Sequence, residues 1–325
     1  MKPSGIGGQA VLEGIMMRNK DKYSVAVRKP DQTIALKVDE YKGLTSGKKI
    51  IGLPFIRGIF NFIDSMVLGI KTLAYSAEFY EEEEDVKESK MDKAVDKLFK
   101  EKAEDVIMGV TIFISIVIAL GLFVVLPSVI SDLLKNWFDI ISVSVLSIIE
   151  GVIRIALFII YILLISMMKD IKRTFMYHGA EHKCINCIEN GMELNVENVM
   201  KSSRYHKRCG TSFIFMVMII SIIFFIFIRV GNPVLKIVVR LLLIPVIAGV
   251  SYEFIKLAGR SESKIVNILS KPGMLLQKIT TSEPDEDMVE VAIEAVSAVF
   301  DWKEYLANYD KEESVKDDED GKEES

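Results

Sequence analysis

The chain has 325 residues, of which 50% are hydrophobic and 26% charged, and a mean hydropathy of +0.30. That mixture argues against an ordinary soluble enzyme and for a membrane protein with sizeable soluble parts. The formal net charge of −5 is concentrated in residues 310–325, which hold nine acidic residues against three lysines; the remainder is close to neutral, and no nucleic-acid partner is expected.

The N-terminal MKPSGIGGQAVLEG lacks a basic stretch followed by an apolar core, so a cleaved signal peptide is not expected. YSVAVR and TIALKV alternate apolar and polar residues across KPDQ, which predicts a small antiparallel hairpin. After Pro54 comes an apolar stretch, FIRGIFNFIDSMVLGIKTLAYSA, interrupted by Arg57, Asp64 and Lys71. Three charges are costly in lipid, so an interfacial or buried helix is expected there. The acidic run EEEED at 81–85 reads as a solvated linker.

Val106 to Ile130 is free of charge and long enough to cross a hydrocarbon core of about 30 Å as a tilted helix. A second span is expected from about Ile148 to Met168, with Glu150 and Arg154 four residues apart and able to pair on one face. A third covers about Thr211 to Ile228. The fourth, about Pro233 to Ala258, carries Lys236 and Arg240 near one end and Glu253 near the other. Lys93, Lys97, Lys100 and Lys102 precede the first span, and eight lysines and arginines lie between spans two and three. The connections at 131–136 and 229–235 hold one basic residue each. By the positive-inside rule both termini and the segment between spans two and three face the cytoplasm.

Beyond the spans, SEPD at 282–285 fits a helix N-cap with proline near the first turn. Met288, Val291, Ala292, Ala295, Val296, Val299 and Phe300 then form an apolar stripe, so that helix must dock on something. The expected organisation is a cytoplasmic N-terminal region at 1–104, a membrane domain at 105–260 with a metal-binding segment at 169–211, a cytoplasmic helical region at 261–308, and a disordered acidic tail at 309–325.

All three histidines and all three cysteines lie between His178 and Cys209. On a helix His178 and His182 fall one turn apart on the same side, so two imidazoles can reach one metal ion. Glu181 points to that side as well. H-x-x-E-H is the inverzincin pattern, in which two histidines hold zinc and the glutamate is a general base. The cysteines allow a different arrangement: Cys184-x2-Cys187 followed by His206-x2-Cys209 has the spacing of a closed structural zinc site. Glu253 is a more distant ligand candidate, whose alternative is an ion pair with a nearby lysine or arginine. GGQ at 7–9 matches the tripeptide of peptide-release factors, but alone it is a coincidence, and the glycines there read as a flexible entry loop.

Several segments together resemble the YqhQ-like family of bacterial membrane proteins, a domain of unknown function whose members are catalogued as metal-dependent enzymes. They are GGQAVLEGIMMR, PFIRGIFNFIDSMVLG, YHGAEHK, ELNVENV, HKRCGTSF, SYE and PGMLLQKITTSEPD. The resemblance runs through most of the chain and stops at about residue 308. In the family's pattern HGAEHK and H-x-R-C-G-T are shared while the positions of Cys184 and Cys187 are often not cysteine. It therefore implies His178, His182, His206 and Cys209 as one metal site. The catalogued activity is itself inferred from such motifs and brings no substrate.

The sequence thus predicts a mainly α, polytopic membrane protein of the bacterial inner membrane, with about four transmembrane helices and a small N-terminal β-hairpin region. Its expected cofactor is Zn2+ and its expected surroundings are the lipid bilayer and possible membrane-protein partners. As an enzyme it would be a hydrolase at the cytoplasmic face, with Glu181 as general base and Arg173, Lys183 or Arg208 stabilising a developing negative charge. As a non-catalytic scaffold or assembly factor, the same ion would only hold the segment together. A small transporter, with the Glu150 and Arg154 pair in a polar path, is a third expectation.

Overall fold

A computed structural model describes residues 3–44, 51–80, 106–107, 109–138, 142–228, 230, 232–261 and 263–309, with the backbone alone for Val143 and Pro233. The acidic run at 81–85, the lysines before the first span and the acidic tail after residue 309 lie outside these residues. The chain divides into two compact units: Met1–Tyr80, Tyr161–Ile220 and Leu243–Ser325 form one, and Glu81–Ile160 with Ser221–Leu242 form the other.

The first unit is built on a four-stranded antiparallel sheet of order β1-β2-β3-β4, with β1 at Gly7–Val11, β2 at Gly14–Asn19, β3 at Lys22–Arg28 and β4 at Ile34–Glu40. The expected hairpin is β3 and β4, with Val25 opposite Lys37 and Val27 opposite Ala35. The other two strands extend the expected hairpin region into a sheet. Strand β2 escapes an alternation test because both its faces are covered: Ile15 and Met17 enter one apolar cluster while Met16 enters another with Val11, Tyr23, Val25, Val27 and Leu68.

Helix α1, Ile56–Ala77, turns Gly58, Asp64, Leu68, Gly69, Thr72 and Ser76 inwards and leaves Phe62, Ile63, Met66, Val67, Ile70 and Leu73 exposed. Its apolar side faces outwards. Asp64, expected to be costly in lipid, is instead buried against the Leu44 N–H (2.9 Å) and the Tyr41 hydroxyl (3.1 Å).

Three helices are long and apolar enough to cross a membrane: α2 at Gly109–Phe138, α3 at Val143–Ser166 and α7 at Pro233–Ala258. Helix α2 runs through residues 131–136, where a connection was expected. Ser131 is buried there and its hydroxyl bonds the Leu146 carbonyl (3.2 Å), while Asp132 pairs with Lys236 (3.1 Å). These contacts keep the polar end of the helix wound. Helix α6, Gly210–Ile226, is apolar but has 17 residues, about 26 Å at 1.5 Å per residue.

The second unit buries a charge network. Glu150 and Arg154 pair one turn apart on α3 at 3.1 Å, as their spacing predicts, and Arg240 of α7 bonds the same carboxylate oxygen. The two guanidinium groups lie 5.1 and 4.7 Å from the centre of the Phe225 ring. Arg154 Nε also donates to the Phe123 carbonyl (2.7 Å), inside a π-helical turn at Gly121–Val125 that interrupts the regular ladder.

In the first unit α4 spans Lys169–Glu189 and the short α5 spans Val196–Lys201; α8 covers Lys264–Thr280 and α9 covers Glu286–Val299. The apolar stripe of α9 is buried as expected and docks on the sheet and α4, closing a core of Ile15, Met17, Ala26, Tyr177, Cys184 and Ile188. Ser24 Oγ donates to the Ala295 carbonyl (2.6 Å) and Asn19 Nδ2 to that of Val299 (2.9 Å), which fixes the helix along the strands. The cap of α9 is Asp285, whose carboxylate accepts from the Met288 N–H (2.9 Å). Ser282 was the expected cap, but Pro284 disfavours a helical turn before it, and the Ser282 N–H instead binds the Phe175 carbonyl (2.9 Å). Opposite, Gly179 has no room for a methyl group against the Ser282 carbonyl, so the segment lies directly on α4.

Candidate metal centre

The i, i+4 step on α4 sets the His178 and His182 rings edge to face, with centroids 4.4 Å apart. Each ring is held by a backbone carbonyl at Nδ1: Thr280 at 2.9 Å for His178 and Arg204 at 2.7 Å for His182. A carbonyl can only accept, so each Nδ1 carries hydrogen and each Nε2 is left with its lone pair when the ring is neutral. Cys209, at the entry to α6, brings its Sγ to 3.3 Å from His178 Nε2. The ligand atoms of His178, His182 and Cys209 all lie within 4.8 Å of one another.

The electrostatics are those of a thiolate–imidazolium pair. Burial pushes the Cys209 thiol up, yet the two imidazoles more than reverse it and hold the group well below its ordinary range. Burial pulls His178 down, and the neighbouring Cys209 and Glu181 charges outweigh that, raising it to about 9. A proton thus stands between a thiolate and an imidazole, where a divalent cation would serve both at once. Two imidazole nitrogens and a thiolate suit Zn2+.

Glu181 sits beside the three. It is buried, which raises its pKa, and one oxygen side is steadied by the Gly8 N–H. Its Oε2 is buried with no hydrogen-bond partner among the described residues. A methyl group on Gly8 would lie 3.0 Å from the Glu181 carboxyl carbon and 2.5 Å from Met17 Sδ, so β1 approaches this closely only through glycine.

The other sequence-nominated residues lie in different places. His206 stands next to His182, with ring centres 5.8 Å apart, but its Nε2 faces Glu189 Oε2 at 3.4 Å. Cys184 and Cys187 are free thiols in the apolar core under α9; burial pushes the Cys184 thiol well up and that of Cys187 to about 11. Glu253 pairs with Arg57 Nε at 2.7 Å. The three nominated cations are engaged elsewhere: Arg173 binds Glu13, Lys183 donates to the Met200 and Ser202 carbonyls (2.8 and 2.9 Å), and Arg208 binds Glu189. A cavity of about 590 Å³ adjoins Glu13, Arg28, Arg173 and Tyr177, none of which belongs to the trio.

Sequence reasoning passed over the residues that orient the site. Glu189 gathers Ser4, by its N–H and hydroxyl (both 2.7 Å), together with Arg208 and His206. Gln277 accepts from the His206 N–H (2.9 Å) and donates to the His206 carbonyl (2.7 Å). The only signal for Gln277 and Thr280 was their place in the shared segment PGMLLQKITTSEPD.

An antiparallel sheet roofed by helices, in which an H-x-x-E-H helix meets a cysteine, defines a mainly helical chain with a His2Cys cluster. The chain belongs to the family described as "Protein of unknown function (DUF1385)", whose sequence profile matches residues 53–302. It is 34% identical over 310 residues to "Uncharacterized protein YqhQ" of Bacillus subtilis (strain 168), covering 92% of this chain and 93% of that protein. No solved structure matches it.

Proposed function

We propose that the chain is a zinc-dependent enzyme of the cell membrane, a hydrolase working at the cytoplasmic face, with His178, His182 and Cys209 as ligands and Glu181 as general base. One arrangement supports the reading: three ligand atoms converge beside a buried carboxylate that has an oxygen without a hydrogen-bond partner among the described residues. When bound, Zn2+ with three protein ligands supplies Lewis acidity and makes a water acidic near pH 7. The carbonyls of Thr280 and Arg204 aim the two imidazoles, and the Gly8 N–H steadies Glu181 while leaving Oε2 to take up a proton. A buried carboxylate of raised pKa is a stronger proton acceptor than an exposed one and can pass the proton on to a leaving group.

The same reading has four spans, with α6 as the short one, and places both termini and α4 in the cytoplasm. Basic residues crowd the segment between α3 and α6, which supports that side. Glu181→Gln keeps the size of the side chain and removes its basicity. It should leave zinc stoichiometry unchanged and abolish complementation in a strain where deletion has a phenotype. A variant that complements fully would refute the catalytic role.

A second reading is a non-catalytic membrane scaffold or assembly factor with a structural zinc site. What favours it is enclosure: His182, Cys209 and Glu181 are only 2%, 4% and 5% exposed. That reading expects Glu181→Gln to be silent, so the same experiment separates the two.

A further inference from the structure

Helix α8 has two faces of opposite character. Inwards it buries Ser270, Gly273, Leu276, Gln277 and Thr280, and this face holds His206 and His178 in place. Outwards run Lys264, Ile268, Lys271, Leu275 and Lys278, whose steps of four and three residues put all five on one stripe. All five are exposed, Ile268 by 60% and Leu275 by 57%. The helix has 17 residues and no acidic one, so its three lysines meet no counter-charge on their own helix.

Between Lys271 and Lys278 lies a groove of about 300 Å³, walled by Met274, Leu275 and Tyr205. Cations set along an apolar wall are the pattern of a helix that rests in the headgroup layer of a bilayer. The chain's course agrees: Lys264 follows by six residues Ala258, the last residue of a helix long and apolar enough to span. A soluble anion would use the lysines and leave the apolar wall in water. A zwitterionic lipid would bring its own ammonium group against the lysines. An anionic phospholipid satisfies both features.

We propose that the outer face of α8 is a binding site for an anionic phospholipid, with the phosphate between Lys271 and Lys278 and an acyl chain along Met274 and Leu275. The site rests on the membrane reading but not on the catalytic one. Its position gives the lipid a second effect, since the helix it holds at the membrane also carries the Thr280 carbonyl that orients His178.

The test is native mass spectrometry of the full-length protein in mild detergent, titrated with phosphatidylglycerol, phosphatidylcholine or inorganic phosphate. Phosphatidylglycerol should bind at least about tenfold more tightly than phosphatidylcholine. The double variant Lys271→Gln/Lys278→Gln should lose about tenfold or more of that affinity, at roughly fivefold per lysine. Leu275→Asn should weaken the lipid as well, and phosphate at equal concentration should not displace it. Undiminished phosphatidylglycerol binding in the double variant would overturn the proposal. Displacement by phosphate, with no effect of Leu275→Asn, would overturn it in favour of a soluble-anion site. Release of the wild-type protein from membranes by alkaline carbonate would instead overturn the membrane reading beneath it.

Discussion

At the scale of single residues, the two carbonyls on His178 and His182 decide which ring nitrogen faces Cys209. Removing either imidazole leaves too few donors for tight binding, so His178→Ala and His182→Ala should each purify with little zinc. Cys184→Ser, which alters only a core thiol, should retain it; metal analysis of the three purified proteins checks this. Glu189 makes a separate claim. Burial raises its pKa, but His206, Arg208 and Ser4 outweigh burial and leave it below the ordinary carboxylate range. A depressed folded pKa means stability that is present above the unfolded value, about 4.3, and lost as pH falls through the folded one. His206, held below its usual value chiefly by burial, adds a loss in the same direction that begins near pH 6.5. The thermal midpoint should therefore fall on acidification, and Glu189→Gln should remove the part of that fall below about pH 4.3. The shared face of His178 and His182 was legible because a four-residue step closes one helical turn. Cys209, 31 residues away, was joined to that pair only through the family resemblance, and the turning of His206 towards Glu189 was not legible, because both depend on how α6 and α8 pack.

At the scale of elements, local signals held where large apolar residues alternate with polar or small ones and failed where apolar residues fill both faces. Strands β3 and β4 and the stripe on α9 follow from period-two and period-3.6 patterns. Strand β2 reads GIMMRN, an apolar run whose two faces enter two different clusters, so its sequence carries no alternation. The start of α9 shows a finer competition: SEPD offers two capping side chains, and the proline between them leaves Asp285 to cap. Asp285→Ala should destabilise the protein by about 1 kcal/mol, the usual worth of a cap, whereas Ser282→Ala should cost little because only its backbone N–H is used. Comparison of the two thermal midpoints distinguishes the caps.

At the scale of the whole molecule, length and hydropathy located the three helices long and apolar enough to cross a membrane, while α2 runs on past its expected end because its polar residues are satisfied by neighbours. The orientation remains a prediction of the lysine and arginine imbalance. In a background with the native cysteines replaced, a cysteine at Ser142 should react with an impermeant maleimide in intact cells, and one at Lys201 only after permeabilisation. The reverse pattern would invert the topology. One feature of the sheet also bears on time. Ile15, Met17 and Ala26 are covered by Met288, Val291 and Val299, so a surface made early waits for residues made much later in the chain. At about 5–20 residues per second, that delay is on the order of ten to sixty seconds. A greasy sheet without its roof for so long invites a chaperone at the ribosome, and makes the emergence of α9, not that of the strands, the moment at which this half of the protein can fold.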